Sequence, residues 1–186
     1  MKNRFIPDLT IRPEDFGIEN YEFDLNGFLN VKGDVDLNNK NLTKLPFRFG
    51  KVDGDFDCSY NKLTSLEGVP REVKGNFWCD NNNLTSLKGA PKVEGNFWCS
   101  CNNLTSLKGA PREVEGSFDC SENNLTSLEG SPKEVEGNFW CTDNNLTSLK
   151  GAPKEVRGNF RCSYNAVKFT EEDVENVCKV GGRIFN

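Results

Sequence analysis

Apolar positions recur along this chain in one fixed order: a Val, a Phe four residues later, a Cys two after that, then two Leu enclosing Thr-Ser. The order starts at Val52, Val73, Val93, Val114, Val135 and Val156, and a divergent copy at Val31 has Val35 and Leu37 in the Phe and Cys places. Successive starts lie 21, 21, 20, 21, 21 and 21 residues apart. Self-similarity at such a period marks a solenoid, in which each repeat buries its apolar face only by stacking on its neighbours. Around Phe77 and Cys79 the alternation has period two, which sends these side chains inward and Asn76, Trp78 and Asp80 to the open face. Connectors such as Lys108-Gly109-Ala110-Pro111-Arg112-Glu113 combine Gly and Pro, which excludes a long helix and a central strand. Each copy reads as one short strand followed by an extended return.

An Asn stands at 61, 82, 102, 123, 144 and 165, where it can satisfy backbone groups left unpaired as the chain leaves the strand. Lys40 holds this place in the first copy, so the ladder is expected to begin on the second rung. A solenoid must also cover its ends. Tyr21 to Val31 predicts a hairpin turning at Asn26-Gly27, within an N-terminal cap over residues 1–30. Residues 31–169 form the solenoid of seven rungs. Over 170–186, Thr170-Glu171-Glu172-Asp173 starts a short capping helix with Val174, Val177 and Cys178 as its apolar stripe and Gly181-Gly182 as its stop.

The run Phe77-x-Cys79-x-x-Asn82-x-Leu84 resembles the leucine-rich-repeat consensus Leu-x-Leu-x-x-Asn-x-Leu, and it repeats in register from about Val31 to Phe169. One departure is that Asp53, Lys74, Glu94, Glu115, Glu136 or Arg157 replaces the consensus leucine, leaving the preceding Val to pack in its stead. The short repeat and its Leu-Thr-Ser-Leu-x-Gly-x-Pro connector resemble bacterial effector proteins, and more closely the leucine-rich-repeat proteins of tailed bacteriophages. Gly33-Asp34-Val35-Asp36-Leu37, Asn41-Leu42-Thr43-Lys44-Leu45-Pro46 and Phe169-Thr170-Glu171-Glu172-Asp173-Val174 carry that second resemblance. It implies origin more than activity, and with it a host factor that the chain binds or inhibits. The leucine-rich-repeat resemblance implies parallel strands on a concave face, and the separate catalytic or secretion regions of the effector proteins are expected to find no room in this chain.

Composition narrows the chemistry. The hydrophobic share is 35%, low for a globular core and suited to a thin, elongated one. A net charge of −5 makes nucleic acid a poor default partner. Histidine is absent, which removes the usual neutral-pH general base and the commonest transition-metal ligand. Met1 to Arg12 has no apolar run and no later stretch reaches membrane-spanning length, so a cytoplasmic protein without a membrane partner is expected. The Asn-Leu-Thr triplets opening at Asn41, Asn83, Asn103, Asn124 and Asn145 then read as repeat residues rather than glycosylation acceptors. Cys58, Cys79, Cys99, Cys120, Cys141 and Cys162 form one inward column, where parallel thiols act as small apolar residues and neither bridge nor converge on a metal. Cys101 leaves that column and is expected at the surface.

Function is expected where the scaffold ceases to dictate residue type. The central outward column reads Asp36, Asp57, Trp78, Trp98, Asp119, Trp140, Arg161, and exposed, clustered Trp residues are common binding hot spots. Trp78 and Trp98 are consecutive and can stack or form a platform. Asp34, Asp36, Asp55 and Asp57 form a two-by-two carboxylate cluster that asks for a cation, either a partner's Lys or Arg or, less well, calcium; a solvated acidic face is the alternative. The two flanking outward columns, from Asp34 through Asn76 to Asn159 and from Asn38 through Asp80 to Ser163, are mainly polar and are expected to form a hydrogen-bonding rim. These features describe a protein-binding module that meets a basic patch, needs no cofactor or metal, and is not an enzyme. Reading Asp36 and Asp57 as a glycosidase pair founders on two alike, solvated carboxylates. Carbohydrate binding and a structural role in a virion are the alternatives.

Overall fold

The structure, a computed structural model, describes residues 11–186, so the first ten residues of the expected N-terminal cap lie outside the described residues. The chain is a β-solenoid of about seven stacked turns, with parallel strands and very little helix. One parallel sheet of eight strands runs from Val35–Asp36 through Phe56–Asp57, Phe77–Trp78, Phe97–Trp98, Phe118–Asp119, Phe139–Trp140 and Phe160–Arg161 to Ile184–Phe185. Every Phe or Val of this sheet faces its counterpart in the next rung without slippage. No helix among the described residues is long and apolar enough to cross a membrane.

Each rung holds two strands rather than one strand and an unpaired return. The Val column pairs as well, through Leu29–Val31, Phe49–Val52, Glu72–Val73 and Lys92–Val93, and again through Glu113–Val114, Glu134–Val135, Glu155–Val156 and Lys179–Val180. Between Val73 and Phe77 the chain bends at Lys74-Gly75, which lets two inward residues four apart sit on different sheets. This second sheet is interrupted between Lys92–Val93 and Glu113–Val114, beside the rung built on the single 20-residue step.

The interior is a stack of columns. Phe56, Phe77, Phe97, Phe118, Phe139 and Phe160 are fully buried, and their ring centroids follow one another at 5.1–5.8 Å. The expected Asn ladder is present. Asn123 Nδ2 donates to the carbonyls of Cys99, Cys120 and Ser121, and its Oδ1 accepts from Leu104 N at 2.9 Å. The same reach to the preceding rung recurs at the other five Asn, and Asn61 begins it by accepting from Lys40 N and Leu42 N.

A second ladder escaped the sequence reading. Side-chain oxygens of Asp34, Asp55, Asn76, Asn96, Ser117, Asn138 and Asn159 each accept a backbone N–H from the following rung, at 2.7–3.0 Å. This explains the Gly preceding each acceptor, because a Cβ at Gly116 would lie 2.6 Å from Asn96 Oδ1 and 2.7 Å from Asn96 N. The column expected to form a hydrogen-bonding rim is therefore structural.

The ends differ from expectation in detail. Tyr21–Phe23 pairs antiparallel with Leu29–Val31, and Gly27 at φ 77 sits in the connecting turn. Thr170 caps the helix Glu171–Glu175 through a reciprocal bond with Asp173, but the helix is only five residues long and Val177 is exposed rather than part of a stripe. Gly181-Gly182 does not stop that helix. It is the bend between Lys179–Val180 and Ile184–Phe185, equivalent to Arg157-Gly158 one rung earlier, and Gly182 N bonds Gly158 O.

The inward thiols of Cys58, Cys79, Cys99, Cys120 and Cys141 donate to the next rung's carbonyl at 3.2–3.4 Å, and no described cysteine is bridged. Burial raises their pKa values. Cys101 is half-buried rather than freely exposed, at a left-handed φ of 51, and burial together with Glu122 pushes its thiol up to about 11.

Two outcomes follow. Asn123→Ala is expected to cost about 1–3 kcal/mol in chemical denaturation, because it strands buried carbonyls and an N–H, while exposed Asn124→Ala costs little. Under native conditions a thiol reagent should label Cys101 before any column cysteine, with a rate that climbs until pH approaches 11; peptide mapping that found Cys79 or Cys120 modified first would contradict the assigned register.

Candidate functional site

The alternation that buries Phe and Cys turns the residues between them to the other face of the eight-stranded sheet. The register places Asp36, Asp57, Trp78, Trp98, Asp119, Trp140, Arg161 and Phe185 side by side in one column. At a strand spacing of about 4.8 Å, Trp98 and Trp140 stand about 10 Å apart with Asp119 between them. All three tryptophans of the chain belong to this column.

The indoles are half-buried, not free-standing. Trp78 and Trp98 meet edge to face, with centroids 5.5 Å apart and planes at 74°, so they do not form the flat platform that consecutive positions suggested. A T-shaped contact places the positive edge of one ring on the negative face of the other and fixes both orientations. At the far end Arg161 is exposed, and its guanidinium lies 4.9 Å from the Phe185 ring centroid. Phe185 was not among the expected site residues, because the sequence around Gly181-Gly182 read as a helix stop and not as a further rung.

The carboxylates divide into two groups. Asp34 and Asp55 are engaged in the inter-rung ladder described above. Asp36 and Asp57 fold back on their own strands, accepting from Asn38 N at 2.9 Å and from Ser59 N and Oγ at 2.8 and 2.6 Å. These are Asx turns, which hold the backbone where the strand ends. The two-by-two acidic cluster thus has a local use for each of its members, and no group of three or more His, Cys, Asp or Glu among the described residues is arranged to hold a metal ion.

Asp80 and Asp119 are different. Burial raises the pKa of Asp119 against hydrogen bonds from Ser121 and Ser100 that pull it down. Burial also raises Asp80, with the charges of Asp57 and Asp119 adding to it. Asp80 Oδ2 accepts from Asn81 Nδ2 at 2.9 Å, but Asp80 Oδ1 and, one rung on, Trp98 Nε1 are buried without a partner among the described residues. Stranding polar atoms in this way costs stability that an apolar or smaller residue would not. The expense is confined to the stretch where Trp replaces Asp in the central column.

Sequence reasoning also missed Tyr60 and Tyr164, which are 57% and 81% exposed. They occupy the position of Cys101, and every residue there, including Asn81, Glu122 and Asp143, has a left-handed φ of 51–55. That backbone turns the side chain away from the core, and the bulk of two Tyr residues at a strained position is the signal that could have singled them out.

Because the fold holds the protons of Asp80 and Asp119 more tightly than the unfolded chain does, both residues lower stability as pH rises from the ordinary carboxylate range through their raised folded values. Asp119→Asn and Asp80→Asn should therefore leave acid stability unchanged relative to the parent and raise the melting temperature at pH 7. A loss of stability at pH 7 in both variants would show that the charged forms are structural.

No protein-family model matches the chain, and no curated protein or solved structure matches it either.

Proposed function

We propose that the chain is a leucine-rich-repeat protein that binds another protein through the outward face of its eight-stranded sheet and is not an enzyme. One observation carries this reading. Trp78, Trp98 and Trp140 are set among Asp80 and Asp119, two carboxyls whose ionisation the fold resists. A scaffold selected for stability alone would not keep such a set, whereas binding sites commonly do. Half-buried indoles held by one another present rigid apolar edges at small entropic cost, which suits hot-spot anchors. The carboxylates around them favour a partner with a basic patch.

In this reading Asp36 and Asp57, with Arg161 at the opposite end, set the orientation of the partner, while Asp34 and Asp55 act through the backbone they hold. The hairpin Tyr21–Phe23 with Leu29–Val31 and the turn of helix at Glu171–Glu175 serve as caps. The resemblance of the connectors to leucine-rich-repeat proteins of tailed bacteriophages supports a host protein as the partner and the cytoplasm as the place of action. Sugar recognition is the less favoured reading, because the edge-to-face contact of Trp78 and Trp98 keeps these two indoles from forming one flat platform for a pyranose ring.

The test is capture from a bacterial lysate with the parent chain and the Trp78→Ala, Trp98→Ala double variant, identified by mass spectrometry and quantified by calorimetry. Truncation of hot-spot residues costs about 2–4 kcal/mol each, so affinity should fall at least thirtyfold to a thousandfold, roughly, with the fold retained. Charge reversal at Asp36 and Asp57 should mainly slow association. Full-strength binding by the double variant would move the site off this face, and binding on a glycan array in place of protein capture would favour the sugar reading.

A further inference from the structure

One rung of the outward face is cut lower than its neighbours. The strand Phe118–Asp119 presents Ser117, Asp119 and Ser121 outward, the smallest such set of any rung. Strand pairing puts Trp98 on one side of Asp119 and Trp140 on the other, with about 10 Å between the two positions. Trp98 packs edge to face on Trp78, one rung further from Asp119, and not on Trp140. The result is a slot with an indole at each end, serines along its sides and a carboxyl at its floor. Trp98, Asp119 and Trp140 are each half-buried, so all three keep surface that a ligand can reach.

The floor carries a charge without a counter-ion. Neither Asp119 nor Asp80 forms an ion pair among the described residues. Arg161 is the one cation of the central column, and its guanidinium lies over Phe185, on the side of Trp140 away from the slot. Asp57 and Asp80 stand near Asp119 and Glu122 acts on it directly, so the potential over the slot is negative. Hydrogen-bond partners, by contrast, come from the rungs themselves. Asp119 Oδ1 accepts from Ser121 N at 2.9 Å, the hydroxyls of Ser100 and Ser121 also donate to this carboxyl, and Ser117 Oγ accepts from Asn138 N at 3.0 Å.

These features select among cations. A flat guanidinium laid about 3.5–4.0 Å from one indole stands about 6 Å from the other and leaves that space unfilled. Its donors, like those of a lysine ammonium, need acceptors that the rungs already use, and an ammonium also gives up tightly held water. A quaternary ammonium has no donors to satisfy. Centred in the slot, its nitrogen lies about 5 Å from each indole, within the range of cation–π attraction to both, and its methyl groups fill the space on either side. The burial that resists ionisation of a lone Asp119 also strengthens its attraction to a cation seated above it.

We infer that the slot between Trp98 and Trp140 binds a trimethylammonium group, carried on a trimethylated lysine of the partner protein, with Asp119 as its counter-ion. This rests on the reading of the Trp face as a protein-binding surface and adds what the partner presents there.

The indole N–H signals of the three tryptophans report the slot directly by nuclear magnetic resonance at constant ionic strength. Tetramethylammonium chloride should move those of Trp98 and Trp140 saturably, with ammonium and guanidinium chloride weaker by about tenfold or more. Asp119→Asn keeps an acceptor for Ser121 N. It should weaken binding about tenfold or more while raising the melting temperature at pH 7, so that ligand is lost as stability is gained. Trp140→Ala should weaken binding about tenfold. Glycine-serine peptides carrying one trimethyllysine should displace tetramethylammonium and bind about tenfold or more tightly than the same peptides with lysine. An equal response to guanidinium, or full-strength binding by Asp119→Asn, would overturn the inference. So would displacement by phosphatidylcholine vesicles and not by the peptides, which would make the ligand a lipid headgroup. A chain that captures protein from lysate through its tryptophans but ignores tetramethylammonium overturns the inference alone. A chain that binds tetramethylammonium and the trimethyllysine peptides but captures no protein upholds the slot and overturns the protein-binding reading.

Discussion

A stack of two-residue strands has too few ladder bonds of its own to hold a rung in place, and the structure rests on side chains that reach from one rung to the backbone of another. Asn61 through Asn165 bind the preceding rung on one side of the strand, and Asp34 through Asn159 bind the following rung on the other. Each buried backbone group left without a partner would cost about 1–3 kcal/mol in every turn. The two ladders remove that cost, and they fix the register in which Phe stacks on Phe. Everything the outward face presents inherits its spacing from them.

This dependence decides what could be read from the sequence. Inward columns were legible because a buried Phe, Cys or Leu repeats at a period that geometry demands, with apolar substitutes only in the first and last copies, and the Asn at 61, 82, 102, 123, 144 and 165 announced itself in the same way. The second ladder was not legible, since Asp34, Asp55, Asn76, Ser117 and their kin vary among short polar groups that a rim would also use. Only the Gly beside each one hinted that another backbone comes close. The strand pairing of the Val column was missed because Gly75 and its counterparts look like turn residues, when the bend they make lies between two strands of the same rung. At the C-terminal end Gly181-Gly182 matched a helix stop and a rung bend equally well, and only tertiary pairing distinguished them.

The candidate site was legible in position and less so in character. Alternation placed Trp78, Trp98, Asp119 and Trp140 in one column, as the structure has them. It could not show that the indoles tilt into one another, since ring orientation depends on a neighbouring rung and not on strand period. Nor could it separate Asp36 and Asp57, which only hold turns, from Asp119, which holds one as well, and Asp80, both of them half-buried where burial resists their ionisation. The face thus combines a scaffold at ease in its first rungs with a stretch from Trp78 to Trp140 that strains against burial.

The break in the Val-column sheet between Lys92–Val93 and Glu113–Val114 bears on how the molecule comes apart. In a linear array, cooperativity passes only between nearest neighbours, and a weak coupling anywhere divides the whole. At this junction the rungs are joined by Phe97 and Phe118 and by the polar ladders, but not by a second sheet. Thermal or mechanical unravelling therefore has a natural stopping place there, with an N-terminal block keeping Trp78 and Trp98 and a C-terminal block keeping Trp140. One unpaired step in the Val column, between two rungs that are each complete, sets the size of the units in which the array melts.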